Sequence, residues 1–431
     1  MGCRRLHLHQ RRQRQGLHRT GRHGGVRGAE ALARLGNCGK NTPGAALAAS
    51  RKGVSMKIAN ITVRQVDVPH LHPYVSAWGP PDRVEYSRGA VIVKVETDEG
   101  LTGWGIGDPQ SGITNRDVVA PQLIGQDVYA LARQAEVMRR AGTFLVDMAL
   151  CDIIGKAAGQ PLHRLWGNRD TRVQAYASTI VAATPEQRAE DALAYLEQGF
   201  TAIKLRTAFP TLAEDIALVS AVRDAVGDRM VIMVDANLAG GSSSDHRPAW
   251  DFDRALAEAR ELEQLDVYWL EEPLPRDDFA TIARLTAETD IAIAGGEGNI
   301  GMADFVEMIR VGAYDILQPD TATSCEALSQ FIKIAAAAEF AGKLFVPHHG
   351  VTGLGIAAHM QLSVCIPNCP YVEFILDEPY RTVEHYQQLG GIVDEPLRID
   401  AEGNLPVPTR PGLGVGVNED AIAQYEVEVT D

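Results

Sequence analysis

From about Val173 the chain alternates short apolar segments with stretches of helical periodicity, and that rhythm constrains the fold more than any other feature. The apolar segments are VQAYA, AIKLR, VIMVDAN, VYWLEE, IAIAGGE, DILQPD, LFVPHH and YVEFI. Each has the length and β-branched content of a buried strand. Between them lie helical patterns such as 185–198, opened by the capping sequence Thr184-Pro185-Glu186-Gln187, then 212–226, 252–265 and 327–340. Eight strand-helix units over roughly 200 residues are what a parallel (β/α)8 barrel requires. An open dinucleotide-binding sheet would need a Gly-rich turn after its first strand, and the sequence has none. The glycines of PGLGVGVNED follow Pro408 and Pro411 and precede no long helix, so they read as a loop returning to a smaller domain.

That smaller domain is expected ahead of the barrel. MKIANITVRQVDVP, starting at Met56, reads as a first strand, followed by a Gly/Pro-rich loop over 70–81. GAVIVKVETDEGLTGWGIG then gives two alternating segments joined by the polar turn at 97–100, so the pattern is a β-meander. Helical periodicity follows over 118–140 and through TFLVDMALCDIIGKAAG, where Gly159 and Pro161 stop it. The expected architecture is an α/β protein: a TIM-type (β/α)8 barrel over 171–385, an N-terminal α+β capping domain over 56–170, and a C-terminal segment, 386–431, that returns to the cap. Residues 1–55 are Arg/His/Gly-rich and without periodicity, and read as a disordered basic extension or a start chosen upstream of Met56.

Charge sharpens this division. Residues 1–55 hold 10 Arg and 2 Lys against Glu30, a net +11, so the chain total of -15 leaves -26 on residues 56–431. A body that acidic argues against a nucleic-acid-binding face, and a small anionic substrate would need local cations or a metal to hold it. The six cysteines are mostly far apart, and CIPNC lacks the second cluster a zinc site needs, so reduced structural thiols are expected. No apolar stretch approaches a membrane span or the core of a secretory signal, which points to a cytoplasmic protein.

The chemistry should gather at the C-terminal ends of the barrel strands, where such barrels build their sites. Polar residues stand there in series: Lys204 and Arg206 on the second strand, Asp235, Glu271 and Glu297 on the third to fifth, Asp320 on the sixth, His348 and His349 on the seventh, Glu373 on the eighth. Any one of these could be a solvated charge or a turn former. Three carboxylates at successive strand ends, however, can supply hard oxygen ligands to Mg²⁺. Lys204 and Arg206 are two apart and can face the mouth together. Alternation turns Glu272 away from the side that Glu271 occupies, and Asn237 is expected to point into the mouth.

The ordered set KLR, VDAN, WLEEP, GGE, QPD, VPHHG and YVE resembles the mandelate racemase branch of the enolase superfamily, from Met56 to the C-terminus. The resemblance implies Asp235, Glu271 and Glu297 as Mg²⁺ ligands, Asp320 and a histidine of VPHH as the base dyad, Lys204 and Arg206 on the opposite face, and Glu373 as a donor to the substrate carboxylate. The spacing before TGLGIAA places His348 at the base position, with His349 behind it or on the substrate. A donor role for Glu373 would need its carboxyl protonated by burial. Cap loops that close over the mouth would bring His70, Tyr74 and Trp78 toward a small carboxylate substrate, and a homo-oligomer is expected.

Two departures from the family pattern bear on the reaction. Many members carry Lys-x-Lys on the second strand, and racemases use the second lysine as one of two bases; here that position is Arg206. A guanidinium keeps its proton, so one-base chemistry is favoured. Abstraction of the proton α to a carboxylate, with a hydroxyl on the β-carbon, then loses water to give a 2-keto-3-deoxy acid: a lyase acting on an aldonate or aldarate. A cycloisomerase, lactonizing enzyme or epimerase would share the same metal and base, and a catalytically inactive sugar-acid-binding barrel would keep the fold alone. The second departure is LAGGSSSDHRPAW after Asp235, a polar loop that could carry Asp245 or His246 to the mouth.

Overall fold

Eight parallel strands carry the second half of the chain, and their inward side chains show how they close. The structure, a computed structural model, describes residues 55–207, 209–240, 249–322, 326–349 and 351–430. The strands are β4 (Arg172–Ser178), β5 (Ala202–Arg206), β6 (Val231–Asp235), β7 (Trp269–Glu271), β8 (Ala292–Gly295), β9 (Ile316–Leu317), β10 (Leu344–Phe345) and β11 (Tyr371–Ile375), after three strands of the cap. Their pairing order runs β10-β9-β8-β7-β6-β5-β4-β11, so first and last strands lie side by side. One buried cluster takes Tyr176, Ala202, Met233, Trp269, Ala294, Ile316, Val346 and Tyr371, a residue from each strand or its immediate extension. Trp269 on β7 meets Tyr371 on β11 edge-on at 6.3 Å, which only a closed barrel allows. At the seam between β10 and β11 the Phe345 N–H donates to the Asn368 carbonyl at 3.0 Å.

Helices lie between the strands much as the periodicity predicts. α3 (Pro185–Glu197) starts at Thr184, whose hydroxyl caps the Gln187 N–H, and α4 (Leu212–Val226) starts with a complete capping box between Thr211 and Glu214. α5 (Phe252–Gln264), α6 (Phe279–Glu288), α7 (Met302–Val311), α8 (Leu328–Phe340) and α9 (Gly353–Ser363) complete the series.

The cap is built on an antiparallel sheet of β1 (Ile58–Tyr74), β2 (Glu85–Thr97) and β3 (Thr102–Gly107), with α1 (Leu131–Ala141) and α2 (Leu145–Ala157) on one face. On β2, Val91, Val93 and Val95 pack with these helices, whereas Ala90 and Ile92 join the core shared with the barrel. Both faces are therefore buried. α2 lies so close to β3 that a Cβ on Gly105 would sit 2.2 Å from the Leu145 carbonyl oxygen, which is why TGWGIG alternates glycine. The C-terminal chain adds β12 (Asn404–Pro406) to β4 and β13 (Glu426–Val427) to β1.

Two local expectations need correcting. The loop expected to begin at His70 does not begin there, because β1 runs on to Tyr74 through an irregularity between Pro69 and Tyr74. The single helical stretch over 118–140 is broken: Gly125 takes φ 84° after Leu123, and α1 starts afresh at Leu131. Residues 1–54, and with them the basic extension, lie outside the described residues.

Candidate active site

Moving two residues along the strands from the apolar layer turns the barrel interior polar on seven of the eight, the exception being β8, where Ala294 is followed at that spacing by Gly296. Tyr176, Ala202, Met233, Trp269, Ile316, Val346 and Tyr371 are followed, at that spacing, by Ser178, Lys204, Asp235, Glu271, Gln318, His348 and Glu373. All seven are buried. The apolar layer below excludes water and fixes their rotamers, so charges meet at short range in a low-dielectric setting.

Lys204 is the hub of one side. Its Nζ lies 2.8 Å from Glu271 Oε1, 2.9 Å from Glu373 Oε1 and 3.4 Å from Asp235 Oδ2. Burial works against its charge, but Glu271 and Glu373 outweigh that and hold the ammonium above the ordinary lysine pKa. Arg206 pairs with Asp235 and donates to the Thr179 carbonyl at 2.7 Å, Ser178 Oγ at 3.1 Å and Asn237 Oδ1 at 3.2 Å. The Trp78 ring of the cap stands 5.1 Å from its Cζ, so this cap residue does reach the barrel mouth.

The other side is built around His348. Its Nδ1 is 2.6 Å from Asp320 Oδ2, which aims Nε2 toward Glu297 Oε2 at 3.0 Å and Glu373 Oε2 at 3.8 Å. Burial opposes the imidazolium, but Glu297, Glu373 and Asp320 together push the ring up to about 10. Asp320 is itself fixed by the Ala322 N–H at 2.8 Å. His349 packs against His348 with ring centroids 4.2 Å apart and accepts the Val351 N–H on Nδ1 at 3.0 Å. Its proton therefore sits on Nε2. Burial first, then the neighbouring His348 charge, keeps that ring neutral.

Glu373 spans both sides. Burial alone would protonate it, but Lys204, His348 and Arg206 pull its pKa well below the ordinary carboxylate value. Glu373 accepts from Ser178 Oγ at 2.6 Å and from Lys204, the contacts of an anion, whereas the donor role expected for it needs a protonated carboxyl. His70 lies on the cap with its ring 4.9 Å from Tyr74 and its Nε2 buried without a hydrogen-bond partner. Asp245 and His246 lie outside the described residues.

Asp235, Glu271 and Glu297 line one mouth, but among the described residues no group of three acidic, histidine or cysteine side chains closes to metal-coordinating distances. Asp235 and Glu271 share Lys204, and Glu297 contacts His348. Their chemistry nonetheless fits a hard divalent cation. Burial and the charges of Asp235, Glu373 and Glu297 all raise Glu271, against Lys204, which is the repulsion a divalent ion on three carboxylate oxygens would offset. Reading strand ends for charge missed the neutral partners: Gln318 Nε2 and Trp269 Nε1 hold Glu271 Oε2 at 2.9 and 3.0 Å, and Ser178 holds Glu373. Position alone could have found Gln318 and Ser178, since both sit in the inward register. His359 was invisible to that reading: it lies inside α9 and, through Nδ1, holds the His348 carbonyl at 2.7 Å.

A capped (β/α)8 barrel with a ring of buried carboxylates, two cations and a His–Asp pair at its C-terminal mouth defines the class. The family models for the mandelate racemase/muconate lactonizing enzyme N-terminal domain and the enolase C-terminal domain-like fold match residues 59–167 and 187–421. The chain belongs to the mandelate racemase/muconate lactonizing enzyme branch of the enolase superfamily. Among its relatives, an arabinonate dehydratase of Saccharolobus solfataricus is 28% identical over 79% of this chain and 92% of its own length. A D-galactarolactone cycloisomerase of Agrobacterium fabrum is 30% identical over 86% of this chain and 99% of its own. Of the solved structures, an L-talarate dehydratase from Polaromonas sp. JS666, complexed with Mg and L-glucarate, superposes with TM-score 0.73 at 28% identity, covering 87% of this chain and 98% of that one.

Proposed function

We propose that the protein is a Mg²⁺-dependent dehydratase of a sugar acid, an aldonate or aldarate. The observation that carries this reading is the asymmetry of the two sides: a His348–Asp320 pair at 2.6 Å on one, and on the other an arginine where a second base would stand. Asp235, Glu271 and Glu297 would hold the ion, whose positive charge would oppose the negative charge that develops when a proton leaves the carbon α to a carboxylate. His348 Nε2, neutral once a cation on Glu297 takes over the negative charge that raises the ring, would take that proton, while Asp320 fixes the tautomer and stabilises the imidazolium. The C–H electrons pass into an enediolate. As they return, the β-carbon–oxygen bond breaks and the hydroxyl departs as water on gaining a proton, leaving an enol that tautomerises to the 2-keto-3-deoxy acid. Lys204 and Arg206 keep their protons and act as fixed positive charge on the opposite face.

A panel of C4 to C6 aldonic and aldaric acids, assayed for 2-keto acid with Mg²⁺ and again after chelation, tests the reading. Keto acid from at least one member, lost on chelation and restored by Mg²⁺, is the expected result. The similarity to a cycloisomerase sustains a second reading. Lactones formed or opened without any keto acid would replace the dehydratase by that isomerase.

A further inference from the structure

We propose that Arg88, on the barrel-facing side of the capping sheet, makes this mouth select a sugar acid with a carboxylate at each end, an aldarate over an aldonate. The inference rests on the dehydratase reading and adds to it the substrate's far end.

Strand register places the residue. Arg88 alternates with Ala90 and Ile92, which pack into the core shared with the barrel, so its side chain leaves β2 on that same face. It stands opposite Val68 on β1, and His70 is the next residue of β1 on that face. A short hydrogen-bonded path ties the position to the proposed base: Arg88 Nη2 holds Asp108 Oδ1 at 3.1 Å and the Asp108 N–H donates to the Ala322 carbonyl at 3.2 Å. The Ala322 N–H in turn holds Asp320, the partner of His348. The Arg88 charge is also among those bearing on both His349 and His70.

What Arg88 offers there is unspent donor capacity. Lys204 and Arg206 are each taken up by more than one carboxylate, whereas Arg88 gives Nη2 to Asp108 while its Nε is buried with no hydrogen-bond partner. The His70 Nε2 beside it is likewise without a partner, and His349 presents its Nε2–H. A guanidinium's planar fork matches a carboxylate's two oxygens better than a lone hydroxyl, and a buried donor left unpaired carries a desolvation cost that a ligand oxygen would recover. The Arg88 and Asp108 side chains remain 25% and 31% exposed, so the pair stands at a wet edge where a substrate end can reach it. On a body of net charge -26, a second substrate carboxylate needs such a cation nearby.

The test compares an aldarate with the aldonate of the same chain length and configuration, using the Mg²⁺-loaded full chain. The wild type should favour the diacid in kcat/KM. Arg88→Gln should lower the aldarate-to-aldonate ratio by about 30-fold, chiefly through KM, and Arg88→Lys should restore part of it. A ratio unchanged by Arg88→Gln, both substrates falling together, overturns the inference, as does a wild type that prefers the aldonate. If neither acid yields keto acid the dehydratase reading fails separately, and thermal shift then decides. A larger rise in Tm with the diacid, lost in Arg88→Gln, supports the inference, and equal shifts overturn it.

Discussion

At the scale of single residues, the site turns on which groups can exchange a proton and which cannot. His348 can, because Asp320 fixes one ring nitrogen and leaves the other facing the mouth. His348→Asn should lower turnover by about 10³-fold or more while Mg²⁺ binding, followed by calorimetry, persists; turnover near wild type would remove His348 from the base role. Arg206 cannot, so recovered substrate should carry its original α-configuration. Arg206→Lys supplies a group that can titrate, and slow epimerisation followed by NMR in deuterated buffer should then appear. Epimerisation by the wild type would contradict the one-base mechanism. The charged members of this site were legible in the sequence because a carboxylate or lysine closing an apolar run has few other reasons to be there. Ser178 and Gln318 carry no such signal, and the ionised state of Glu373 depends on Lys204, Arg206 and His348, which approach from other strands.

At the scale of elements, strands and capped helices were legible because their causes are local: period-two burial, Thr184, the Thr211–Glu214 box. What joins elements was not. α8 begins after Ala327, which has no side chain to cap it, and the cap comes instead from Asp147 on α2, which accepts from the Ser329 N–H at 2.8 Å and the Ser329 hydroxyl at 2.7 Å. Burial, against those hydrogen bonds, pushes the Asp147 carboxyl up to about 6 from the usual 3.8. Between those values the folded chain binds more protons than the unfolded one, so this group's contribution to stability falls as pH rises from about 4 to about 6 and is level above. A lift of that size corresponds to on the order of 3 kcal/mol. Asp147→Asn should therefore lessen the fall in Tm across that window, and a pH profile identical to wild type would show that the carboxyl does not titrate there. Gly412 joins elements by a different means. At φ 83° its missing Cβ would lie 2.0 Å from Asp152 Oδ1, while its backbone pairs with Gln160 and Leu162. Gly412→Ala combines a left-handed backbone with that clash and should lower stability by about 2 kcal/mol or more, read from chemical denaturation.

At the scale of the whole molecule, the charge distribution sets two fields of opposite sense. Far from the surface the body, net -26 over residues 56–431, repels an anion. Within the mouth, Arg88 and an ion held by Asp235, Glu271 and Glu297 would attract one, at distances where bulk ions screen little, since Lys204 and Arg206 are already taken up by carboxylates. The Debye length falls from about 30 Å near 10 mM salt to about 8 Å near 150 mM, so added salt removes the far field first and leaves the near one largely intact. Capture of an anionic substrate should accordingly speed up with salt: kcat/KM for a sugar acid, measured at fixed Mg²⁺, should rise about two- to fivefold over that range, and more for a diacid than a monoacid. A fall instead would mean that the mouth's cations govern the approach as well as the docked state. The sign of that slope was implicit in the composition, but its contrast with the local charges required the fold, because only barrel closure brings Asp235, Glu271 and Glu297 to one mouth and only the packing of the cap sheet on the barrel turns Arg88 to that side.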